Sequence, residues 1–291
     1  MPPPFPPAFE SLLHTLLGRS RDVASARDDQ RRARRAVLSQ SGTFVGHRPY
    51  VRGDDPRRID WAACARTGGF FVKQLEQEER RSTALLLDLS PSLGCGETPR
   101  RVWQLRVAAV LGGLALLHLD GVSVLAPGAG DAEVRAFAGA RALPALLRHL
   151  QSLPFVVVEP SHAIARAMQE HLPARVHWLS DFADPAAVAR PLQALRRGGI
   201  AVTGWLPEVP ADRDPAVAGY VRVVDPCSGN ELAVPIDAAL RTELRAQLAT
   251  LATRQDRLFL QAGAPLVRWL VPAVDDTSVG PWAPLVARGS A

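Results

Sequence analysis

Lysine is almost absent from this 291-residue chain: Lys73 stands alone against 33 arginines. In a sequence also rich in Ala, Leu and Pro that bias reads as base composition, so the formal net charge of +5 is weak evidence for a nucleic-acid partner. Cysteine is scarce too. Cys64, Cys95 and Cys227 are an odd number at wide spacing, which fits neither a disulfide framework nor a cysteine-rich zinc site. No apolar run approaches the roughly 20 residues a membrane helix needs; the best candidate, Val107 to Leu117, lies between Arg106 and His118. The opening MPPPFPPAFE lacks the basic and apolar stretches of a secretory signal, so a cytoplasmic protein is expected. Also missing are a glycine-rich phosphate loop ending in Lys-Ser or Lys-Thr, a Gly-x-Ser-x-Gly elbow and a histidine pair at helical ligand spacing. Those absences argue against ATP hydrolysis by this chain alone, serine-hydrolase chemistry and helix-borne zinc.

What remains is an ordinary globular composition, 47% apolar and 22% charged, which excludes disorder throughout. The charge is uneven. Residues 1–81 hold 15 basic and 10 acidic side chains, leaving 19 of each for residues 82–291, so the whole excess sits at the amino end. Residues 1–8, rich in proline, read as a loose arm. From Phe9 to Leu38, Leu12, Leu13, Leu16 and Leu17 recur at helical spacing before arginine takes over, which predicts an amphipathic helix running into a charged segment. Val45 to Gln77 is dense in turns and charge. Asp55 before Pro56 predicts a short helix from Pro56 to about Arg66, because aspartate accepts from free first-turn amides and proline fits the first helical position. Gly68-Gly69 stops it, and a strand follows through Phe70, Val72 and Leu75.

From Ser82 short apolar runs alternate with helical windows, the pattern of a parallel sheet flanked by helices. Strands are expected over residues 83–87, 122–126, 176–179, 200–205 and 220–224, with 133–137 as an edge strand. Helices are expected over 100–119, 143–151, 161–171, 186–197 and 237–260, the last closing the fold. The fold class is therefore α/β, a mostly parallel sheet flanked by helices with an N-terminal helical and β extension. The domain reading is an arm and helix over 1–37, a segment packed on the sheet domain over 38–81, the sheet domain over 82–275 and a tail over 276–291.

Asp88-Leu89-Ser90-Pro91-Ser92 follows the buried run TALLL and precedes a helix. In open α/β sheets ligands collect at the carboxyl ends of the strands, so these side chains stand where sites form. One Asp and two Ser at alternating positions offer three oxygens over a single turn stiffened by Pro91, a set suited to a hard divalent cation that keeps several waters. Ser180 and Asp181 end the later run RVHWL, and adjacent strands would bring Asp88 and Asp181 to one edge. A competing reading makes the first turn a cap for the next helix, since Ser and Asp are preferred there, and takes Asp184-Pro185 beside the second as an ordinary helix start. Arg52, Asp54, Asp55, Arg57 and Arg58 form a mixed-charge cluster, read either as a partner-binding surface or as ion pairs that tie the segment together. Arg31, Arg32, Arg34 and Arg35 would contact phosphates or solvate a helix face.

These turns resemble the metal-ion-dependent adhesion site of von Willebrand factor A domains, with Asp-x-Ser-x-Ser after the first strand and Ser-Asp after a later one. That family's third ligand is a threonine opening an intervening helix. Ser161 in EPSHAIARAM is the matching position, and Phe182 stands where the family often has glycine. The stretch RPYVRGDDPRRIDWAACARTGGFFVKQLEQEERRSTALLLDLSPS, with VVDPCSGNELAVPIDAALR further on, is similar to the bacterial family called domain of unknown function 58. The resemblance implies a von Willebrand A-like (Rossmann-like) fold and Mg²⁺, with Mn²⁺ or Ca²⁺ as substitutes, at Asp88, Ser90, Ser92, Ser161 and Asp181. It also implies partnership with a MoxR-type AAA+ ATPase, or with another protein that offers a carboxylate to the ion, and no enzymatic activity. Two other classes stay open: a metal-dependent hydrolase using Asp88, and nucleic-acid binding through the arginine-rich amino segment.

Overall fold

The computed structural model describes residues 4–20, 43–51, 54, 56, 59–76, 82–94, 100–118, 121–127, 134–154, 173–226, 228–271 and 278–289. In chain order the first elements are α1 (residues 7–20), β1 (Thr43–Pro49), α2 (Trp61–Thr67), β2 (Phe71–Glu76), β3 (Ser82–Leu87), α3 (Arg100–Leu117), β4 (Gly121–Leu125) and β5 (Val134–Ala138). They continue with α4 (Leu143–Ser152), β6 (Arg175–Leu179), α5 (Pro185–Arg197), β7 (Ala201–Glu208), β8 (Gly219–Val224), β9 (Glu231–Ile236), α6 (Ala238–Gln261), β10 (Leu266–Leu270) and α7 (Ala283–Gly289). Two compact units result, residues 1–20 with 81–291 and residues 21–80.

In the larger unit six strands pair in the order β10-β7-β6-β3-β4-β5, all parallel except the antiparallel edge strand β5. β3 and β6 are buried over all but their first residue, as expected of inner strands covered on both faces. Successive β3 side chains point to opposite faces. Leu85 and Leu87 join a core with α1, α3, α4 and α7, while Ala84 and Leu86 join a second core with α5 and α6. α3, buried from Val102 to Leu116, has no solvent face, which is why its sequence is apolar on nearly every side. Gly204 in β7 is required by contact: a Cβ there would lie 2.4 Å from the Phe259 ring of α6.

The amino end is not a loose arm over its described residues. Phe5 and Phe9 are buried, their rings stack at 5.7 Å, and Phe9 meets Trp282 at 5.6 Å. Arg106 of α3 donates from Nε to the Pro4 carbonyl at 2.9 Å and lays its guanidinium over Phe9 and Trp103. Residues 276–291 include α7, and Trp282 and Leu285 pack into the same core beside Trp103 and Trp269.

Four strands depart from expectation, β1, β9 and β10 by lying outside the expected strands and β8 by its place. Gly219–Val224 lies outside the main sheet and pairs with β9 in its own antiparallel ribbon. The turn between them explains the choice: Asp225 N–H donates to the Asn230 carbonyl, and Gly229, at φ 73°, donates back to the Asp225 carbonyl. The sixth sheet position goes to β10, beyond the helix expected to close the fold.

The smaller unit holds the antiparallel pair β1–β2 and α2. α2 starts after Asp60, not at Pro56, because Ile59 forms an extended bridge to Val72 and Asp60 accepts from the Ala62 and Ala63 amides. Gly68 ends it at φ 73°. Among the described residues no helix is long and apolar enough to cross a membrane.

Candidate metal centre

β3 and β6 are hydrogen-bonded neighbours with Leu87 opposite Leu179, so the residues after both leave the sheet at one edge. Asp88 N–H still donates to the Leu179 carbonyl at 3.0 Å, which carries the pairing one residue past the strand. Its carboxylate is held from both sides: Oδ1 accepts from the Ser90 amide at 2.9 Å and Oδ2 from the Ser180 hydroxyl at 2.6 Å. The chain then turns through the short 3₁₀ segment Pro91–Gly94. That turn sets the Ser90 and Ser92 hydroxyls 3.0 Å apart, and Ser92 Oγ reaches Asp181 Oδ2 at 3.3 Å across 89 residues of sequence. Asp88, Ser90, Ser92 and Asp181 therefore meet on one patch of oxygens. The helix start read at Asp184-Pro185 is present: Asp184 accepts from the Ala186 and Ala187 amides and Pro185 opens α5, while Asp181, just before it, accepts from the Ala183 amide.

Two glutamines, which sequence reasoning missed, fasten this patch to the helices on either face. Gln104 of α3 donates to the carbonyls of Asp88 (2.8 Å) and Leu179 (2.9 Å), tying the ends of β3 and β6 together. Gln255 of α6 donates to the carbonyls of Asp181 (3.0 Å) and Phe182 (2.9 Å). The available signal was weak: Gln104 sits in a helix that buries nearly every side chain, and Gln255 is one of three glutamines in the mostly exposed α6. Phe182 has φ 50°, the only positive φ among the described non-glycine residues. A left-handed backbone is the physical reason glycine suits that position. Here its buried ring, packed against Trp178 and Phe259, holds the turn.

Burial first, then the negative charge of Asp88, lifts the Asp181 carboxyl above the usual carboxylate range, against opposing pulls from the Ala183 amide, Arg100 and Ser92. Arg100, at the start of α3, is itself paired with Asp212. Two crowded carboxylates beside two hydroxyls form an all-oxygen donor set with excess negative charge, and that fits a hard dication. Among the described residues no three His, Cys, Asp or Glu side chains gather, so an ion here would rest on two acids and two hydroxyls. Supplying charge and an open coordination position is the chemistry such an ion brings. His177 on β6 faces elsewhere: it accepts from the Trp205 indole N–H at 3.1 Å, and burial lowers its pKa to about 3.

Ser161 lies outside the described residues, as do Arg52, Asp55, Arg57, Arg58 and the arginine run over residues 31–35. Asp54 is described, and its carboxylate takes both terminal nitrogens of Arg48 at 2.6 Å while also accepting from the Val51 amide. Those bonds brace its own unit.

An α/β chain whose adjacent parallel strands β3 and β6 each end in an acidic turn at one edge defines the class. The chain belongs to the family described as protein of unknown function DUF58, whose model matches residues 46–256. It is 30% identical to the uncharacterized protein Rv1480 of Mycobacterium tuberculosis (strain ATCC 25618 / H37Rv) over 76% of this chain and 72% of that one, and equally to Mb1516 of Mycobacterium bovis. Among solved structures it is similar to the conserved hypothetical protein BatB from Bacteroides thetaiotaomicron, at 14% identity and a TM-score of 0.40 over 72% of this chain and 98% of that one. An aerotolerance-related membrane protein from Bacteroides fragilis NCTC 9343 aligns over 72% of this chain and 99% of its own, at 14% identity and a TM-score of 0.36.

Proposed function

We propose that this chain is a non-enzymatic, metal-dependent protein-interaction module of von Willebrand A-like architecture, working in the cytoplasm. Ser90 and Ser92 offer hydroxyl ligands to Mg²⁺, or to Mn²⁺ or Ca²⁺ in its place. Asp88 and Asp181 supply the balancing charge, and Ser161 is the candidate for a further ligand. A carboxylate from a partner, a MoxR-type AAA+ ATPase or another acidic protein, completes the oxygen shell. The observation that carries the reading is the meeting of Ser92 and Asp181 at 3.3 Å, from strand ends 89 residues apart, beside an Asp88 already fixed by Ser180. A turn that served only to cap a helix has no need of a second acid from another strand.

Ligand binding to the folded state alone raises its stability by RT ln(1 + L/Kd), with L the free ligand concentration. Millimolar Mg²⁺ is therefore expected to raise the melting temperature, EDTA to reverse the rise, and Asp88→Ala to abolish it. Pull-down of the ATPase encoded nearest to this gene, with and without EDTA, tests the second half. Capture indifferent to both chelator and Asp88→Ala would remove the metal from the mechanism.

A further inference from the structure

The turn carrying Asp181 passes through Phe182 in a left-handed backbone conformation that a bulky residue rarely adopts, so something must hold it in place. Gln255 is 4% exposed and one turn of α6 before Phe259, whose ring packs on Phe182 at 4.9 Å. Its Nε2 donates to two successive carbonyls, those of Asp181 and Phe182, which spans the left-handed residue at φ 50°. Its Oε1 accepts from Arg268 Nη2 at 2.8 Å. With two carbonyls on one side and a guanidinium on the other, the amide can point only one way. Arg268 is fixed in turn: it donates to the Ala252 carbonyl at 2.9 Å and to Asp256 at 3.1 Å, and its Nη1 lies 3.6 Å from the buried Glu208 carboxylate at the end of β7. Gln104, on the other face, lacks this second anchor. Its Oε1 is buried with no hydrogen-bond partner among the described residues.

We propose that Gln255 is a positioning residue for the candidate metal centre, orienting the Asp181–Phe182 turn so that the Asp181 carboxylate faces Asp88 and Ser92, with Arg268 and Glu208 locking its amide. The inference rests on the metal-site reading for its consequence but not for its geometry. Outer residues that orient a ligand commonly change metal affinity by about ten- to hundredfold when lost.

Two measurements on the full chain test it. The first, in EDTA, is a double-mutant cycle between Asp88→Asn and Asp181→Asn by urea denaturation, run in the wild type and again in Gln255→Leu. If Gln255 aims Asp181 at Asp88, the two positions are coupled in the wild type and that coupling falls toward zero in the variant. An unchanged coupling overturns the proposal, whatever the metal does. The second is Mn²⁺ affinity by electron paramagnetic resonance, at a temperature where near-ultraviolet circular dichroism shows both proteins folded. Gln255→Leu is expected to weaken binding at least tenfold, and Arg268→Met, which leaves Gln255 in place but unlocks its amide, by a smaller factor. Should Gln255→Leu not fold, Arg268→Met carries both measurements, and wild-type coupling and affinity in that variant would overturn the proposal. A wild type that binds no Mn²⁺ sinks the metal reading, while the coupling cycle alone still decides the role of Gln255.

Discussion

Asp181 is where the electrostatic cost of the site is concentrated. A buried carboxyl raised above its ordinary pKa of about 3.9 keeps its proton in the folded chain at pH values where the unfolded chain has lost it. The folded state then binds more protons in that window, so its stability falls as pH rises from about 4 through the raised value, and the penalty is complete above it. Asp181→Asn is accordingly expected to stabilise the metal-free protein near pH 7, to lose that advantage as the pH is lowered to about 4, and to erase any melting shift on adding Mg²⁺. Thermal melts across pH in EDTA and in Mg²⁺ measure all three. A variant less stable than the wild type at pH 7 in EDTA would show that burial and the Asp88 charge do not outweigh the contacts with Ala183, Arg100 and Ser92.

At the scale of elements, the tightest constraint is the contact of α6 with β7. An alanine at Gly204 would place its Cβ 2.4 Å and 2.6 Å from the Phe259 ring and 2.9 Å from Leu266. Overpacking of this kind costs about 1–3 kcal/mol. Gly204→Ala should lose stability on that order in urea denaturation, with α6 displaced outward and the Gln255 contacts weakened along with it. The inner strands and α3 were legible in the sequence because a strand or helix buried on all sides writes one continuous apolar run. Asp88, Ser90, Ser92 and Asp181 were legible for a related reason: polar residues that interrupt such a run mark a strand end, and parallel neighbours share their ends. β8 misled because its alternation suits any sheet, and only the Asp225–Asn230 turn decides that it pairs locally. Gln104 and Gln255 could not be read, since their partners are backbone carbonyls 75 and 73 residues distant, and nothing in a side chain's identity names a carbonyl.

Across the whole molecule, both chain ends close one core. α1, α3 and α7 share a layer in which Phe5, Phe9, Trp103, Trp269 and Trp282 are all buried. Truncating a buried aromatic to alanine costs about 3–5 kcal/mol. Phe9→Ala is thus expected to lower the unfolding free energy from chemical denaturation by that order and to loosen α7 as well, read as faster amide exchange around Trp282. Exchange confined to residues near position 9 would mean the ends are independent. The two glutamines add a less obvious result. Each acidic turn is moored to a different layer of the protein, Asp88 to the one closed by the termini and Asp181 to the one beneath α5 and α6. Damage remote from the rim therefore reaches it selectively, tilting one acid while its counterpart stays true, and a chain that still melts at an ordinary temperature can have lost the alignment on which its grip depends.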